Sequence, residues 1–275
     1  MRNIQMSQIA PMNIHYVLYP LEYFLDSLVK FDIQSVELWG GSPHVPIDDL
    51  TLASVRRIRE EIERRDLNIA CFTPETCKYP INIAAEEASI RDRSVNYVLK
   101  SLDIALELGA KLVQIVPGTG YFNKLPDEAW KRSRDSLQKI VEKAEVLGIQ
   151  LTLEPLLKRE SNLIYNKEMA KKMLEEINSP ILGCNVDTVP MVEAGDSIED
   201  YFTELGNKVN HIHLCDGPNH VAWGDGTLPL NQFIHQLEQF EYQGYLGLEI
   251  YNSKYYMDPD QALKQAIDNI RAVLG

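Results

Sequence analysis

Short apolar or alternating segments and longer amphipathic segments follow one another along the whole chain. The short segments have the period of two typical of β-strands, and the long ones have the period near 3.6 typical of α-helices. The first pattern predicts eight strands, near residues 4–6, 35–39, 68–73, 111–116, 149–154, 181–187, 209–214 and 245–250. The second predicts eight helices, over residues 21–31, 48–65, 86–108, 127–147, 167–177, 198–205, 230–240 and 259–274.

Eight strand-helix units in 275 residues are the number expected for an α/β fold of the (β/α)8 class, the TIM barrel. A doubly wound open sheet is the alternative. That fold usually carries a Gly-x-Gly-x-x-Gly turn after an early strand, and this sequence has none. No linker rich in Gly, Ser or Pro divides the series, so we expect a single catalytic domain over residues 1–275.

The fifth predicted strand ends on a carboxylate. Thr152 and Glu154 lie on its polar face, opposite an apolar face. Pro155 has no N–H for a strand ladder and favours extended backbone in the residue before it, so the strand should end near Glu154. Side chains at the C-terminal strand ends of a TIM barrel surround its catalytic mouth.

Three later strands place polar side chains at the same end, namely Asp187, His213 and Glu249. Taken singly, each of these residues is better explained as a paired acid or a hydrogen-bonded core histidine than as a metal ligand. Together with Glu154 they would repel one another, unless a cation joined them. The sequence therefore predicts a divalent metal site at these four residues. Oxygen-rich ligation with one nitrogen favours Mn²⁺, Mg²⁺ or Co²⁺, with Zn²⁺ and Fe²⁺ as alternatives.

This ligand set, spaced by about 33, 26 and 36 residues, resembles that of the xylose isomerase-like superfamily of TIM-barrel sugar isomerases and epimerases, and in particular its ketose 3-epimerases. Three segments are similar to the fructoselysine 3-epimerase group: VELWGGSPH at 36–44, FTPETCKYP at 72–80 and LEPLLKRESN at 153–162. The resemblance extends over nearly the whole chain.

The resemblance implies an isomerase, a metal-dependent 3-epimerase of a ketose or ketose-amine such as fructoselysine or psicoselysine. In such enzymes the metal stabilises an enediolate, one glutamate removes the C3 proton, and a second returns a proton to the opposite face. The resemblance assigns these two roles to Glu154 and Glu249. It also implies a homo-oligomer, because dimers and tetramers are common in this group.

Two positions differ from the simple ketose epimerases. Those enzymes carry a substrate-gripping histidine three residues after the ligand aspartate and an arginine six after the ligand histidine. Pro190 and Asn219 stand there in this chain. The difference argues against free fructose, tagatose or psicose as the preferred substrate. Glu160, six residues after Glu154, does match a family contact near the substrate's C1 end.

Five more residues follow predicted strands and are candidate substrate contacts. They are Trp39, His44, Glu75, Tyr79 and Trp223. An acid among them could hold the ammonium of an aminated sugar, and Trp223 could cap the site. A role as an ordinary packed loop residue is equally compatible with each position.

The remaining histidines give weaker signals. His211 has the parity of His213 but lies one layer deeper, so we expect it to be a core residue or to support the metal site. His15, His220 and His235 receive no role from the sequence.

Composition narrows the partners and the compartment. A formal net charge of −13 argues against nucleic-acid binding. The four cysteines form no Cys-x-x-Cys pair, as expected for thiols in a reducing compartment. No apolar run approaches membrane-spanning length and no signal core begins the chain. We therefore expect a cytoplasmic protein that binds a small sugar or sugar-amine.

Several alternative functions remain open. An aldose-ketose isomerase or an inosose-type dehydratase would share the enediolate chemistry. An AP-endonuclease-like hydrolase would need several zinc ions and a groove for DNA, which the acidic charge disfavours. A barrel that binds sugars without catalysis is the remaining alternative.

Overall fold

Eight parallel strands form a barrel in the computed structural model, which describes residues 3–275. In chain order they are β1 (Ile9–Pro11), β2 (Ser35–Gly40), β3 (Asn68–Pro74), β4 (Leu112–Ile115), β5 (Gln150–Leu153), β6 (Leu182–Asp187), β7 (Val209–His213) and β8 (Leu246–Leu248). Neighbours in sequence are neighbours in the sheet, and β1 pairs with β8. The seam between β1 and β2 has a single bridge, Met12 to Glu37, because Pro11 has no N–H to offer there. The barrel is therefore nearly closed.

Nine helices occur between and after the strands of the described chain. They are α1 (Leu21–Lys30), α2 (Leu52–Glu63), α3 (Ala88–Leu108), α4 (Asp127–Leu147), α5 (Lys167–Ile177), α6 (Thr188–Ala194), α7 (Ile198–Leu205), α8 (Leu230–Gln239) and α9 (Pro259–Leu274). The apolar strand faces, such as Leu151 and Leu153, are fully buried in the main hydrophobic core. The predicted single TIM barrel is confirmed. No helix within residues 3–275 is both long and apolar enough to cross a membrane.

The prediction of the first strand at residues 4–6 is wrong. This segment leads into a 3-10 turn at Met6–Gln8, and the strand follows at Ile9–Pro11. The backbone N–H of Gln5 donates to Gln8 Oε1 at 2.9 Å, which favours the turn over strand pairing. The apolar alternation of Ile4 and Met6 has a different cause, because Ile4 packs into the core from outside the sheet.

Two helical segments also differ from expectation. The helix predicted over 48–65 is shorter, since Thr51 caps α2 by accepting a hydrogen bond from the Ser54 N–H at 3.2 Å. Helix α6 was not predicted. It begins directly after β6, where Asp187 Oδ1 accepts from the Val189 N–H at 2.8 Å. Asp187 thus both ends a strand and caps a helix.

Candidate metal centre and sugar cavity

Glu154, Asp187, His213 and Glu249 meet at the C-terminal mouth of the barrel. His213 Nδ1 lies 2.9 Å from Glu154 Oε1, 3.4 Å from Glu249 Oε2 and 3.9 Å from Asp187 Oδ2. One donor atom from each of the four lies within 4.8 Å of the others. We refer to these four residues as the carboxylate-histidine cluster. The period-two alternation of β5 to β8 places all of them on the inward face.

The donor set fits a divalent cation. Donor atoms that share an ion at about 2.0–2.6 Å lie no more than about 5 Å apart, as these do. His213 Nδ1 is buried, and no residue of the described chain gives it a well-directed hydrogen bond. Three carboxylates and an imidazole nitrogen therefore face a common point, and a cation there would satisfy all four.

A buried glutamate of β2 supports His213 from behind. Glu37 Oε1 lies 2.9 Å from His213 Nε2, and Glu37 Oε2 lies 2.8 Å from His211 Nε2. Thr73 Oγ1 also donates to Glu37 Oε1, at 2.5 Å. A hydrogen-bonded Nε2 leaves Nδ1 of His213 as the nitrogen that faces the cluster, as in carboxylate-histidine-metal arrangements.

Charge and space in the barrel favour this pairing. Burial alone would raise the pKa of Glu37, but the neighbouring His213 and His211 hold that pKa well below its usual range. Burial lowers the pKa of His213, and Glu37 and Glu154 more than offset this effect. Gly247 of β8 makes the room, because a Cβ there would collide with the Glu37 carboxylate.

Two amides hold Glu154 in place. Asn185 Nδ2 donates to Glu154 Oε1 at 2.9 Å, and Gln114 Nε2 donates to Glu154 Oε2. Burial raises the pKa of Glu154 to about 7, with the charge of His213 opposing the shift and Glu249 adding to it. This pKa belongs to the metal-free site, because a cation bound to the cluster would favour the carboxylate form.

His220, on the loop after β7, also reaches the cluster. Its Nε2 lies 2.8 Å from Asp187 Oδ2 and 3.7 Å from Glu249 Oε2. Burial lowers the pKa of His220, but the charges of Asp187 and Glu249 outweigh it and raise the pKa to about 9. In the simple ketose epimerases an arginine stands six residues after the ligand histidine, where this chain has Asn219. The residue after Asn219 is His220, and it brings a cationic side chain to the cluster.

A cavity of about 500 Å³ opens above the cluster, within the range of small-molecule sites. Of the predicted substrate contacts, Trp39, Glu75 and Glu160 line it. Glu160 is exposed at the mouth of the cavity, and partial desolvation raises its pKa. The positions that depart from the simple ketose epimerases, Pro190 and Asn219, line it as well.

The other three candidates lie outside the lining of this cavity. His44 is held by Asn13 Nδ2 at 2.9 Å and by the Tyr19 carbonyl at 2.8 Å. The hydroxyl of Tyr79 accepts from the Ser42 N–H at 2.7 Å. Trp223 is buried, and its Nε1 donates to the Leu214 carbonyl at 2.9 Å. The contacts of these three are those of packed loop residues.

The sequence reasoning missed Glu37 and His220. Glu37 has the same parity as Trp39 on β2, so the inward face of that strand could have revealed it. His220 lies in a loop at a positive φ of 49°, where no periodicity indicates the direction of a side chain.

Fold and cluster together define a TIM-barrel protein with a carboxylate-histidine centre at its mouth. The chain belongs to the Xylose isomerase-like TIM barrel family, which matches residues 25–273. Fructoselysine 3-epimerase of Escherichia coli O157:H7 is 29% identical over 260 residues, covering 93% of this chain and 94% of that protein. That relative is named as a 3-epimerase, which is an isomerase.

Solved structures show the same fold. D-Psicose 3-epimerase of Clostridium cellulolyticum H10, determined with D-tagatose, has a TM-score of 0.80 at 17% identity, covering 97% of this chain and 99% of that one. The IOLI protein, determined with a bound zinc atom, has a TM-score of 0.79 at 17% identity, covering 97% and 98%. At these identities the likeness supports the fold alone.

Proposed function

We propose that the protein is a metal-dependent 3-epimerase of a ketose or ketose-amine. The observation that carries the proposal is the convergence of Glu154, Asp187, His213 and Glu249 around one point at the floor of the cavity. The similarity to fructoselysine 3-epimerase over 93% of the chain agrees with it. All four residues would hold the metal, with Mn²⁺ the first choice and Mg²⁺, Co²⁺, Fe²⁺ and Zn²⁺ as alternatives.

The chemistry divides between the metal and two glutamates. A bound divalent ion would act as a Lewis acid on the substrate's oxygens, which lowers the cost of removing the proton beside the ketone. Glu154 and Glu249 come from strands on either side of the cluster. One glutamate takes the C3 proton and the other delivers a proton to the opposite face, so that C3 is inverted. Asn185 and Gln114 keep the Glu154 carboxylate aimed while its charge changes.

The substrate proposal is a ketose-amine of the fructoselysine type. Glu160 faces the cavity, and one of its oxygens accepts only a long hydrogen bond, from the Leu157 N–H at 3.3 Å. A carboxylate at this place can pair with the secondary ammonium that such a substrate carries at C1. Glu75 is less suited to this pairing, because its two oxygens already accept three hydrogen bonds.

The test is incubation with Mn²⁺ in D₂O, followed by NMR and mass spectrometry. A 3-epimerase places deuterium at C3 of fructoselysine or psicoselysine and leaves the ketone in place. Deuterium at C1 would indicate an aldose-ketose isomerase, and loss of water would indicate a dehydratase. Ligand binding without exchange in the metal-loaded protein would indicate a sugar-binding barrel. Each of these three results would overturn the proposal.

Three broader proposals accompany this one. The whole of residues 1–275 forms the catalytic domain, and the protein acts in the cytoplasm, as its cysteine pattern suggests. It assembles as a homo-oligomer, dimer or tetramer, by analogy with the ketose 3-epimerases. Size-exclusion chromatography with light scattering tests the assembly, and a monomer at micromolar concentration would contradict it.

A further inference from the structure

The loop after β3 carries a lysine to the rim of the cavity. Lys78 Nζ lies 3.9 Å from the ring centre of Tyr251 and 5.6 Å from that of Trp39. All three residues line the cavity. A cation over an aromatic face is attracted by the ring quadrupole, so these contacts give the ammonium a defined position at the mouth.

A single carboxylate anchors this arrangement. Glu75 Oε1 accepts from the N–H groups of Cys77 at 2.7 Å and Lys78 at 2.6 Å, and Glu75 Oε2 accepts from Trp39 Nε1 at 2.9 Å. Glu75 therefore connects the backbone of Lys78 to the indole of Trp39, and the Lys78 ammonium lies near that same indole. These contacts define the position of the ammonium in the ligand-free protein.

The Lys78 ammonium lacks an anionic partner. It forms no ion pair within 4.0 Å with any residue between 3 and 275. Of the other cationic side chains that line the cavity, Arg159 is paired with Glu193 at 3.0 Å and His220 with Asp187 at 2.8 Å. An ammonium offers three donors and no acceptor, so Lys78 retains donors for a ligand. Burial lowers its pKa, against the opposing charges of Glu75 and Glu249.

We propose that Lys78 binds an anionic group, a carboxylate or a phosphate, on the part of the substrate remote from C3. This inference rests on the proposed function and specifies the substrate class, a ketose with a distal anion. A ketose joined to an amino acid offers a carboxylate, and a ketose phosphate offers a phosphate. Glu154, Glu160 and Glu249 line the cavity, and Lys78 is the cationic side chain there without an ion-pair partner in the described chain, so a distal anion is best placed beside Lys78.

Calorimetric binding to the Mn²⁺-loaded protein tests the inference with matched ligand pairs. One pair is fructoselysine and its carboxamide, and the other is L-ribulose 5-phosphate and L-ribulose. We expect Lys78→Met to weaken binding of the member that carries the anionic group, in at least one pair, about 10- to 100-fold, the range for one charge-assisted hydrogen bond. Binding of the member that lacks this group should stay within about twofold. The pair that responds identifies the anion.

Two further variants serve as controls. Lys78→Arg keeps the charge and should restore most of the affinity for the anion. Lys158→Met removes a lysine that also lies over an aromatic ring, 5.1 Å from the ring centre of Tyr165, but outside the lining of the cavity. It should leave both pairs unchanged, which separates a local contact from a change in net charge.

The outcomes separate the inference from the proposed function. If Lys78→Met weakens both members of each pair equally, or if the wild type does not prefer either anion, the inference fails. Exchange at C3 in D₂O is measured on the same samples. If C3 exchanges but the protein does not prefer the ligand with the anionic group, the anion site is refuted and the epimerase proposal stands. If the protein prefers that ligand but C3 does not exchange, the epimerase proposal is refuted and the anion site stands.

Discussion

Replacing Glu37 by Gln removes the charge behind His213 while keeping the shape of the side chain. The amide oxygen of Gln can still accept from His213 Nε2, and its NH₂ group can donate to His211 Nε2. The latter is feasible because no described residue bonds His211 Nδ1, so His211 is free to carry its proton on that nitrogen. We therefore expect Glu37→Gln to fold and to keep the His213 ring in place.

The loss of the Glu37 charge should weaken metal binding. Exchanging one charge-assisted hydrogen bond for a neutral one costs about 1–1.5 kcal/mol, which corresponds to about a tenfold change in affinity. Carboxylates behind metal-bound histidines contribute about 10- to 100-fold. We expect Mn²⁺ to bind Glu37→Gln about tenfold more weakly in a chelator-competition titration.

A matched control is Asp260→Asn. Asp260 accepts from Tyr16, Ser27 and Lys30 at 2.8, 2.6 and 2.9 Å, none of which belongs to the cluster. This variant should lose stability and keep the wild-type affinity for Mn²⁺. Circular dichroism and urea unfolding establish that both variants are folded. A folded Glu37→Gln that binds Mn²⁺ within twofold of the wild type would refute the support that we ascribe to Glu37.

Three other predictions concern the metal, a buried histidine and the loop after β7. Removing metal with a chelator should lower the Tm by about 5–10 °C relative to Mn²⁺ at 100 times its Kd; an unchanged Tm would contradict a metal site. Burial lowers the pKa of His15 to about 3, so its neutral form stabilises the fold fully above pH 6.5 and this contribution is lost as pH falls towards 3. By pH 5 the free energy of unfolding should have fallen by about 2 kcal/mol through His15. Urea unfolding should show this decrease in the wild type and in the control His235→Gln, whose residue is exposed, but not in His15→Leu. His220→Gln should lower kcat/KM about 10- to 100-fold through the lost charge beside Asp187; full activity would count against a role for His220 at the site.

Much of the fold was predictable because alternation along a strand is set by burial. The strands β5 to β8 have one apolar and one polar face, and their inward parity placed the carboxylate-histidine cluster correctly at one mouth. The helices at 127–147, 167–177, 198–205 and 259–274 match the predicted bounds. The first strand was misplaced because Ile4 and Met6 imitate strand alternation beside a turn.

The parts that were not predictable depend on loops and on contacts across the barrel. Lys78 and His220 reach the cavity from loops, where the path of the backbone decides the direction of a side chain. The role of Glu37 depends on a partner, His213, that is 176 residues away in sequence. Trp223 and His44 follow strands, as expected of site residues, but hydrogen bonds within their own loops and with their neighbours hold them in the packed structure.

The most direct test of the account follows C3 of both epimers in D₂O, with metal content measured for every variant. The wild type should exchange C3 in fructoselysine and psicoselysine and interconvert them. Glu154→Gln and Glu249→Gln should each lose interconversion, and each should retain exchange in only one epimer, the opposite one in each variant, because each keeps a base on one face. Interconversion at the wild-type rate by both metal-loaded variants would contradict the two-glutamate mechanism.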